Sequence, residues 1–240
     1  PGMKAQRSWL CMLCLFSAAA VSAPANSRPA GADVQPNSPD APSLVILGAS
    51  YAKGWGTPPL PGFVRVTNRG VGGEETGGML ARFPGDVVAA RPDAVLIWGH
   101  VNNITRAAPD KIEDAKKSAR DHFAEMLRLA RAAGIEPILA TEIPWTEPGG
   151  IVNTLYGWYA AIMGKTSYAT RVSAHVREVN EYLKSLCRRE NCRVLDFEAV
   201  FADEDGTRKS EYAAEDGSHI SQAGYDALTA YAARELRRAR

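Results

Sequence analysis

A basic surplus is the first thing this 240-residue sequence lacks. Lys and Arg number 28 against 27 Asp and Glu, a formal net charge of +1. Nucleic-acid binders and polybasic membrane binders need a cationic face, so that balance argues against both. Cysteine is scarce, four in all, too few for a scaffold built on disulfides. The apolar run from Trp9 to Ala20 is too short to span a bilayer comfortably. None of the four histidines stands in an H-x-x-x-H or H-E-x-x-H spacing, so no metal is expected. Internal repeats are missing, and so is a second composition regime, which leaves one domain as the expectation. Hydrophobic residues at 45% and charged residues at 23% are ordinary for a folded domain and wrong for a disordered chain.

What is present begins with a leader. Lys4 and Arg7 make a positive region ahead of the apolar run, and Val21-Ser22-Ala23 and Ala23-Pro24-Ala25 both fit a small-residue cleavage site. Residues 1–25 read as a secretory signal peptide, the rival reading being an uncleaved anchor. The mature protein is then exported, periplasmic or secreted, with no membrane span after cleavage. Cys11 and Cys14 leave with the signal, and neither follows the small residues of a lipoprotein signal. Residues 26–42, rich in Pro, Ala, Asn, Ser and Asp, read as a disordered lead-in to a domain over 43–240. An oxidising compartment favours a short-loop disulfide between Cys187 and Cys192. A zinc pair is the weaker reading, because no second Cys/His pair has ligand spacing.

The domain alternates strands and helices. Leu44–Gly48, Ala94–Trp98, Pro137–Thr141 and Arg193–Phe197 are short, largely apolar runs, and Phe63–Thr67 alternates. Continuous apolar runs suit strands buried on both faces. Ile112, Ala115, Ala119, Phe123, Met126, Leu127 and Ala130 recur at helical spacing up to Gly134, and Val172, Val176, Val179, Leu183 and Leu186 repeat the pattern. A last helix is expected from about Ser221 to Arg237, and Phe83-Pro84-Gly85 should split the helix between the second and third strands. Such alternation implies an α/β fold with about five parallel strands and helices on both faces.

Ligands of such sheets bind beyond the carboxyl ends of the strands. The loops there read Gly48-Ala49-Ser50-Tyr51, Asn68 to Glu74, and Gly99-His100-Val101-Asn102-Asn103, and Asp216-Gly217-Ser218-His219 precedes the last helix. A serine, a glycine loop, an amide and an Asp/His pair are the parts of an acyl-transfer site. Each part has a plainer reading: Ser50 as a helix cap, the glycines as a tight turn, Asn102 as a turn residue, His219 as a cap or core histidine. A dinucleotide fingerprint fails, since Glu75 stands where the third glycine belongs. A P-loop ending at Gly164-Lys165-Thr166 fails because position 159 is Tyr. His122 and His175 lie within amphipathic helices and suit structural roles. His100 stands beside Asn102 and is expected to line the site without acting as base.

These blocks resemble the SGNH (GDSL-type) hydrolase family across the whole mature domain. Gly48-Ala49-Ser50-Tyr51 is similar to its first block, with Ala49 in place of the usual Asp. Asn68 to Thr76 is similar to the second, Leu96 to Asn103 to the third, and Asp216-Gly217-Ser218-His219 to the closing D-x-x-H. In the third block His100 aligns with the family's glycine unless a one-residue shift restores Gly99. The resemblance implies a flavodoxin-like three-layer α/β/α fold and hydrolysis of carboxylic esters or thioesters without cofactor. It assigns Ser50, Asp216 and His219 to catalysis and Ser50, Gly73 and Asn102 to the oxyanion hole. The chemistry is consistent: a serine hydroxyl needs an adjacent base, an imidazole serves as one, and a carboxylate orients it. An α/β-hydrolase would show G-x-S-x-G, but Ala52 fills the last glycine position.

Substrate class stays open on these residues. Trp145, Tyr156, Trp158, Tyr159 and Met163 lie among glycines and prolines between Pro144 and Gly164. The stretch reads either as an aromatic flap over the substrate or as a short amphipathic helix on the core. Tyr51, His100, Trp145, Tyr156 and Trp158 are the expected substrate contacts. A lipid, aryl or short-chain acyl esterase leads. A carbohydrate or peptidoglycan O-acetyl esterase is the alternative, and an exported glycan-binding module on the same fold is the non-enzyme rival.

Overall fold

The computed structural model describes residues 41–145, 167–204, 206–216 and 218–238. Expectations for residues 1–25 and for most of 26–42 fall outside this range. Ala41 and Pro42 fall inside it, and the Pro42 carbonyl accepts the N–H groups of Val64 and Arg65 at 2.8 and 3.1 Å. No described helix is long and apolar enough to cross a membrane.

Five strands, β1 (Ser43–Gly48), β2 (Arg65–Gly70), β3 (Ala94–Trp98), β4 (Glu136–Ala140) and β5 (Arg193–Leu195), form one parallel sheet ordered β2-β1-β3-β4-β5. In the central strands alternate residues serve opposite faces, and both faces are buried. Leu44, Ile46, Leu96 and Trp98 pack with Trp55, Phe197 and Leu228. Val45, Leu47, Val95 and Ile97 pack with Met79, Phe83, Phe123 and Met126. Two-sided burial is why β1 and β3 read as unbroken apolar runs. Each such side chain contributes roughly 1.5–3 kcal/mol. The result is a three-layer α/β/α domain.

The helices are α1 (Ser50–Trp55), α2 (Thr76–Phe83), α3 (Val101–Arg106), α4 (Ile112–Ala132), α5 (Tyr168–Glu190), α6 (Phe197–Phe201) and α7 (Gln222–Arg238). At Phe83-Pro84-Gly85 the expected split appears as a change of helix type: the backbone stays helical through Pro84 and continues as a short π-helix, Pro84–Val88. The Ser167 side chain caps α5 by accepting the Thr170 N–H at 3.0 Å. Asn191, left-handed at φ 49°, ends it, and the Cys187–Cys192 disulfide is formed there.

β1 and β4 differ from expectation by one residue at their ends, and β2 and β5 by more. β2 starts two residues late and runs on to Gly70, because its register is set by β1, from Ser43 beside Arg65 to Gly48 beside Gly70. Being an edge strand, it carries polar residues on its open face and gives a weak signal. β5 stops at Leu195, because Asp196 turns to cap α6, its side chain accepting the Ala199 N–H.

Candidate active site

Gly48, Gly70, Trp98 and Ala140 end strands on one edge of the sheet, and the loops that follow carry the site. Ser50 begins α1, directly after β1. The cap of that helix is Ala49, without a side-chain hydrogen bond, so Ser50 is not there as a helix cap. The first N–H groups of a helix have no acceptor within it, which leaves the Ser50 N–H available to an anion.

The residues that the family resemblance assigns to an oxyanion hole lie on two loops beside α1. Asn68, at the end of β2, donates its amide to the Ala52 carbonyl at 2.6 Å and accepts the Gly70 N–H at 2.8 Å. It thereby ties the glycine loop to α1. Gly73 has φ +72°, a conformation that favours glycine. The Asn102 amide donates to the Glu74 carbonyl at 2.8 Å, so it lies against that loop. Asn103 is buried and accepts the Thr76 N–H at 3.1 Å, a role in starting α2. Gly99, at φ +143°, is the glycine that the turn after β3 requires. Arg82 underpins the loop: it grips Glu74 at 2.6–2.9 Å, reaches Asp86 at 2.6 Å and donates to the Gly48 carbonyl at 3.2 Å.

His219 and Asp216 form a compact pair. The His219 Nδ1 lies 2.5 Å from Asp216 Oδ2, while Asp216 Oδ1 accepts the N–H groups of Ser218 and His219, each at 2.9 Å. The backbone bond from His219 and the ring bond hold the Asp216 carboxyl well below the usual carboxylate range. Both side chains are half-exposed. The pair meets α1 through Tyr51, whose ring lies edge-on to the His219 ring at 6.5 Å and whose hydroxyl donates to the Ser218 carbonyl at 2.9 Å.

Of the expected substrate contacts, Tyr51 and His100 are buried and Trp145 is part-buried. Tyr51 is buried, and burial pushes its phenol up to about 12; its hydroxyl is engaged by the Ser218 carbonyl and the Arg208 guanidinium. His100 is 1% exposed, packs edge-on to Phe123 and has Nε2 3.3 Å from the Val176 carbonyl. Burial lowers it to about 4, so it is a neutral core residue and does not line the site. Trp145 is part-buried against the core, its backbone paired with Ser173. Tyr156 and Trp158 lie outside the described residues. His122 bonds the Thr76 hydroxyl at 2.9 Å, and His175 stands beside Lys116 and Glu178. Glu113, His175 and Glu178 come close enough to suit a metal, but the Lys116 ammonium lies between them, bonded to both carboxylates.

Among the buried charges that the sequence reading missed, two lie near the loops of the candidate site. Glu142, beyond β4, is fully buried and accepts the N–H groups of His100 and Val101 at 3.0 and 3.4 Å. Arg208 is buried behind the dyad. Neither stands in a motif, and only burial singles them out.

Comparison with known proteins bears on the family and the fold. The family model described as GDSL-like Lipase/Acylhydrolase matches residues 38–227. A curated relative, an uncharacterized lipoprotein of Bacillus subtilis (strain 168), is 30% identical over 95 residues, and the match spans 40% of this chain and only 39% of that relative's length. A crystal structure of a GDSL-like lipase from Bacteroides thetaiotaomicron superposes with a TM-score of 0.60 at 19% identity, covering 82% of this chain and 89% of that one. A catalytic mutant of an acetylxylan esterase from Geobacillus stearothermophilus gives a TM-score of 0.59 at 18% identity, over 81% and 94%. At these identities the structural likeness speaks for the fold.

Proposed function

Because the chain belongs to the GDSL-like lipase/acylhydrolase family, we propose that it is a serine hydrolase that cleaves carboxylic esters through an acyl-enzyme. The observation that carries this reading is the Asp216–His219 pair at 2.5 Å, held against the helix that Ser50 begins. In this mechanism the Ser50 hydroxyl attacks the ester carbonyl while His219 takes its proton. The oxyanion is met by the N–H groups of Ser50 and Gly73 and by the Asn102 amide. His219 returns the proton to the leaving alcohol, and water repeats the sequence to release the acid. Asp216 keeps the ring in the tautomer that presents its other nitrogen to Ser50. The Cys187–Cys192 disulfide supports an exported protein, with residues 1–25 as the signal and 43–240 as the hydrolase domain.

Lipid, aryl or short-chain acyl esters are the leading substrates. O-acetyl groups on carbohydrate or peptidoglycan are the second reading, favoured by the half-exposed dyad, which leaves room for a bulky alcohol. A panel of p-nitrophenyl esters from C2 to C16, with acetylated xylan and peptidoglycan beside it, separates the two. Ser50→Ala should cut kcat by about three orders of magnitude or more in a folded protein. A fluorophosphonate probe should label Ser50. Labelling at another residue, or normal turnover by Ser50→Ala, would overturn the reading.

A further inference from the structure

Asp216 and His219 sit three residues apart in one half-exposed turn. Asp216 therefore orients the His219 ring relative to that turn. Nothing in the turn itself sets the distance from His219 to the serine on α1. That distance depends on how the turn is moored to the rest of the fold.

The Ala213–Ile220 bridge and the Tyr51 hydroxyl bond to Ser218 hold the turn at its edges, and the group that joins it to both α1 and the segment after β4 is Arg208, 6% exposed. It stands on the return of a tight hairpin in which Ala202 and Arg208 form an antiparallel bridge. The Asp203 carboxylate fixes the bend by accepting the Thr207 N–H at 2.9 Å and its hydroxyl at 2.7 Å. Arg208 Nη1 donates to the carbonyls of Ser218 and His219 at 3.0 and 3.1 Å. Nη2 donates to the Tyr51 hydroxyl at 2.8 Å, and Nε to the Pro144 carbonyl at 2.9 Å. The guanidinium also lies 5.4 Å from the Tyr51 ring centroid. All four bonds go to neutral oxygens, and the charge is answered at longer range by the buried Glu142 carboxyl.

Burying a cation in that way is costly. A rigid planar fork of donors gives in exchange a geometry that a neutral or flexible side chain does not. The fork spans the residue next to Ser50, the backbone of His219 and the segment after β4. We propose that Arg208 is a positioning residue, which sets the approach of His219 to Ser50 by holding both segments on one guanidinium. The proposal rests on the Ser50–His219 reading above.

The test uses Arg208→Met, of similar length but without donors, and Arg208→Lys, in the full chain with p-nitrophenyl acetate. Circular dichroism checks the fold. A displacement of about 1 Å at a reacting group costs about 10²-fold, so Arg208→Met should lose about that factor in kcat. KM should stay within about twofold, because the substrate contacts remain. Fluorophosphonate labelling of Ser50 should slow in parallel, a readout that a merely structural role would leave unchanged in folded protein. Arg208→Lys should recover only part, since a point charge cannot reach the same set of oxygens. Tyr51→Phe removes the phenol and keeps the ring; it should lower kcat about tenfold at unchanged KM.

A folded Arg208→Met with normal kcat and labelling, or with its loss in KM alone, overturns the positioning role. Should Arg208→Met not fold, Tyr51→Phe decides, and an unchanged kcat there overturns the role. An inert wild type, or a wild type indifferent to Ser50→Ala, overturns the Ser50 reading and this proposal with it. An active wild type, a dead Ser50→Ala and a normal Arg208→Met overturn the positioning role alone.

Discussion

The Glu142 carboxylate accepts the backbone N–H of His100 at 3.0 Å, so a fully buried acid at the end of one strand starts the helix that follows another. That helix, α3, carries Asn102. The remaining contacts are as tight: Glu142 takes the Ile143 N–H at 3.3 Å, and its backbone pairs with the Asn180 amide at 2.7 and 2.8 Å. Glu142→Gln preserves volume but turns an amide donor toward N–H donors. Leaving a buried donor unmet costs about 1–3 kcal/mol, so the urea midpoint should fall with the m-value unchanged. Burial raises the Glu142 pKa. A raised folded value means stability present below the unfolded pKa of about 4.3 and lost as pH climbs through the folded one. The gap between wild type and Glu142→Gln should therefore narrow with rising pH. A gap that widens contradicts this account.

His100 predicts the opposite slope. Its pKa is lowered to about 4, first by burial. Between that value and the unfolded one of about 6.5, the unfolded chain binds the extra proton. Stability is then complete above about pH 6.5 and is lost as pH falls toward 4, by up to about 1.4 kcal/mol per pH unit. His100→Gln keeps a donor for the Val176 carbonyl and removes the titration. Urea unfolding at pH 5 and pH 7 should show a smaller loss for the variant than for wild type. Equal losses would mean that His100 binds its proton alike in the folded and unfolded states.

Asn102 and Asn103 are adjacent in sequence and separate in consequence. The Asn102 amide lies against the Gly73–Glu74 loop, while Asn103 is spent on the Thr76 N–H. Asn102→Ala should cost about 10²–10³ in kcat, roughly 2.7–4 kcal/mol, at nearly constant KM. Asn103→Ala should instead lower the melting temperature, through loss of a buried hydrogen bond. Steady-state kinetics and thermal unfolding on both variants check this. The reverse pattern would move the oxyanion amide to Asn103.

What the sequence shows of this fold follows from two-sided burial and from local chemistry. β1 and β3 are legible because both their faces are packed, and α4 because one stripe of it is. The polar edge strand β2, Arg-Val-Thr-Asn-Arg-Gly, has no apolar face to announce it, so its ends are set by pairing with β1. Asp216 and His219 are legible because their bond closes within three residues. Asn102, His100 and Tyr51 all stand in motif loops, yet only their burial separates the amide beside Gly73 from the two that pack inward. Glu142 and Arg208 act on residues 42 and 10–157 positions away, a relation that no local pattern encodes.

Asp216→Asn tests the dyad with the sign worked out. In the wild type the carboxyl stays ionised far below the usual range, held first by the His219 backbone bond and then by its ring. A depressed folded pKa gives stability that is present above the unfolded value of about 3.9 and lost as pH falls. The group is half-exposed, so solvent screens that contribution and the effect on stability should be small. The effect on turnover should be large. An amide can still accept the backbone N–H groups of Ser218 and His219 through its oxygen, but it then turns its NH2 toward Nδ1. The ring must accept there, and the proton moves to the nitrogen that the proposed mechanism presents to Ser50, where a base is required. Loss of the orienting carboxylate in comparable triads costs up to about 10⁴-fold in kcat. Asp216→Asn should lose at least about 10²-fold while melting close to wild type. Turnover near the wild-type rate would show that something other than Asp216 sets the tautomer of His219.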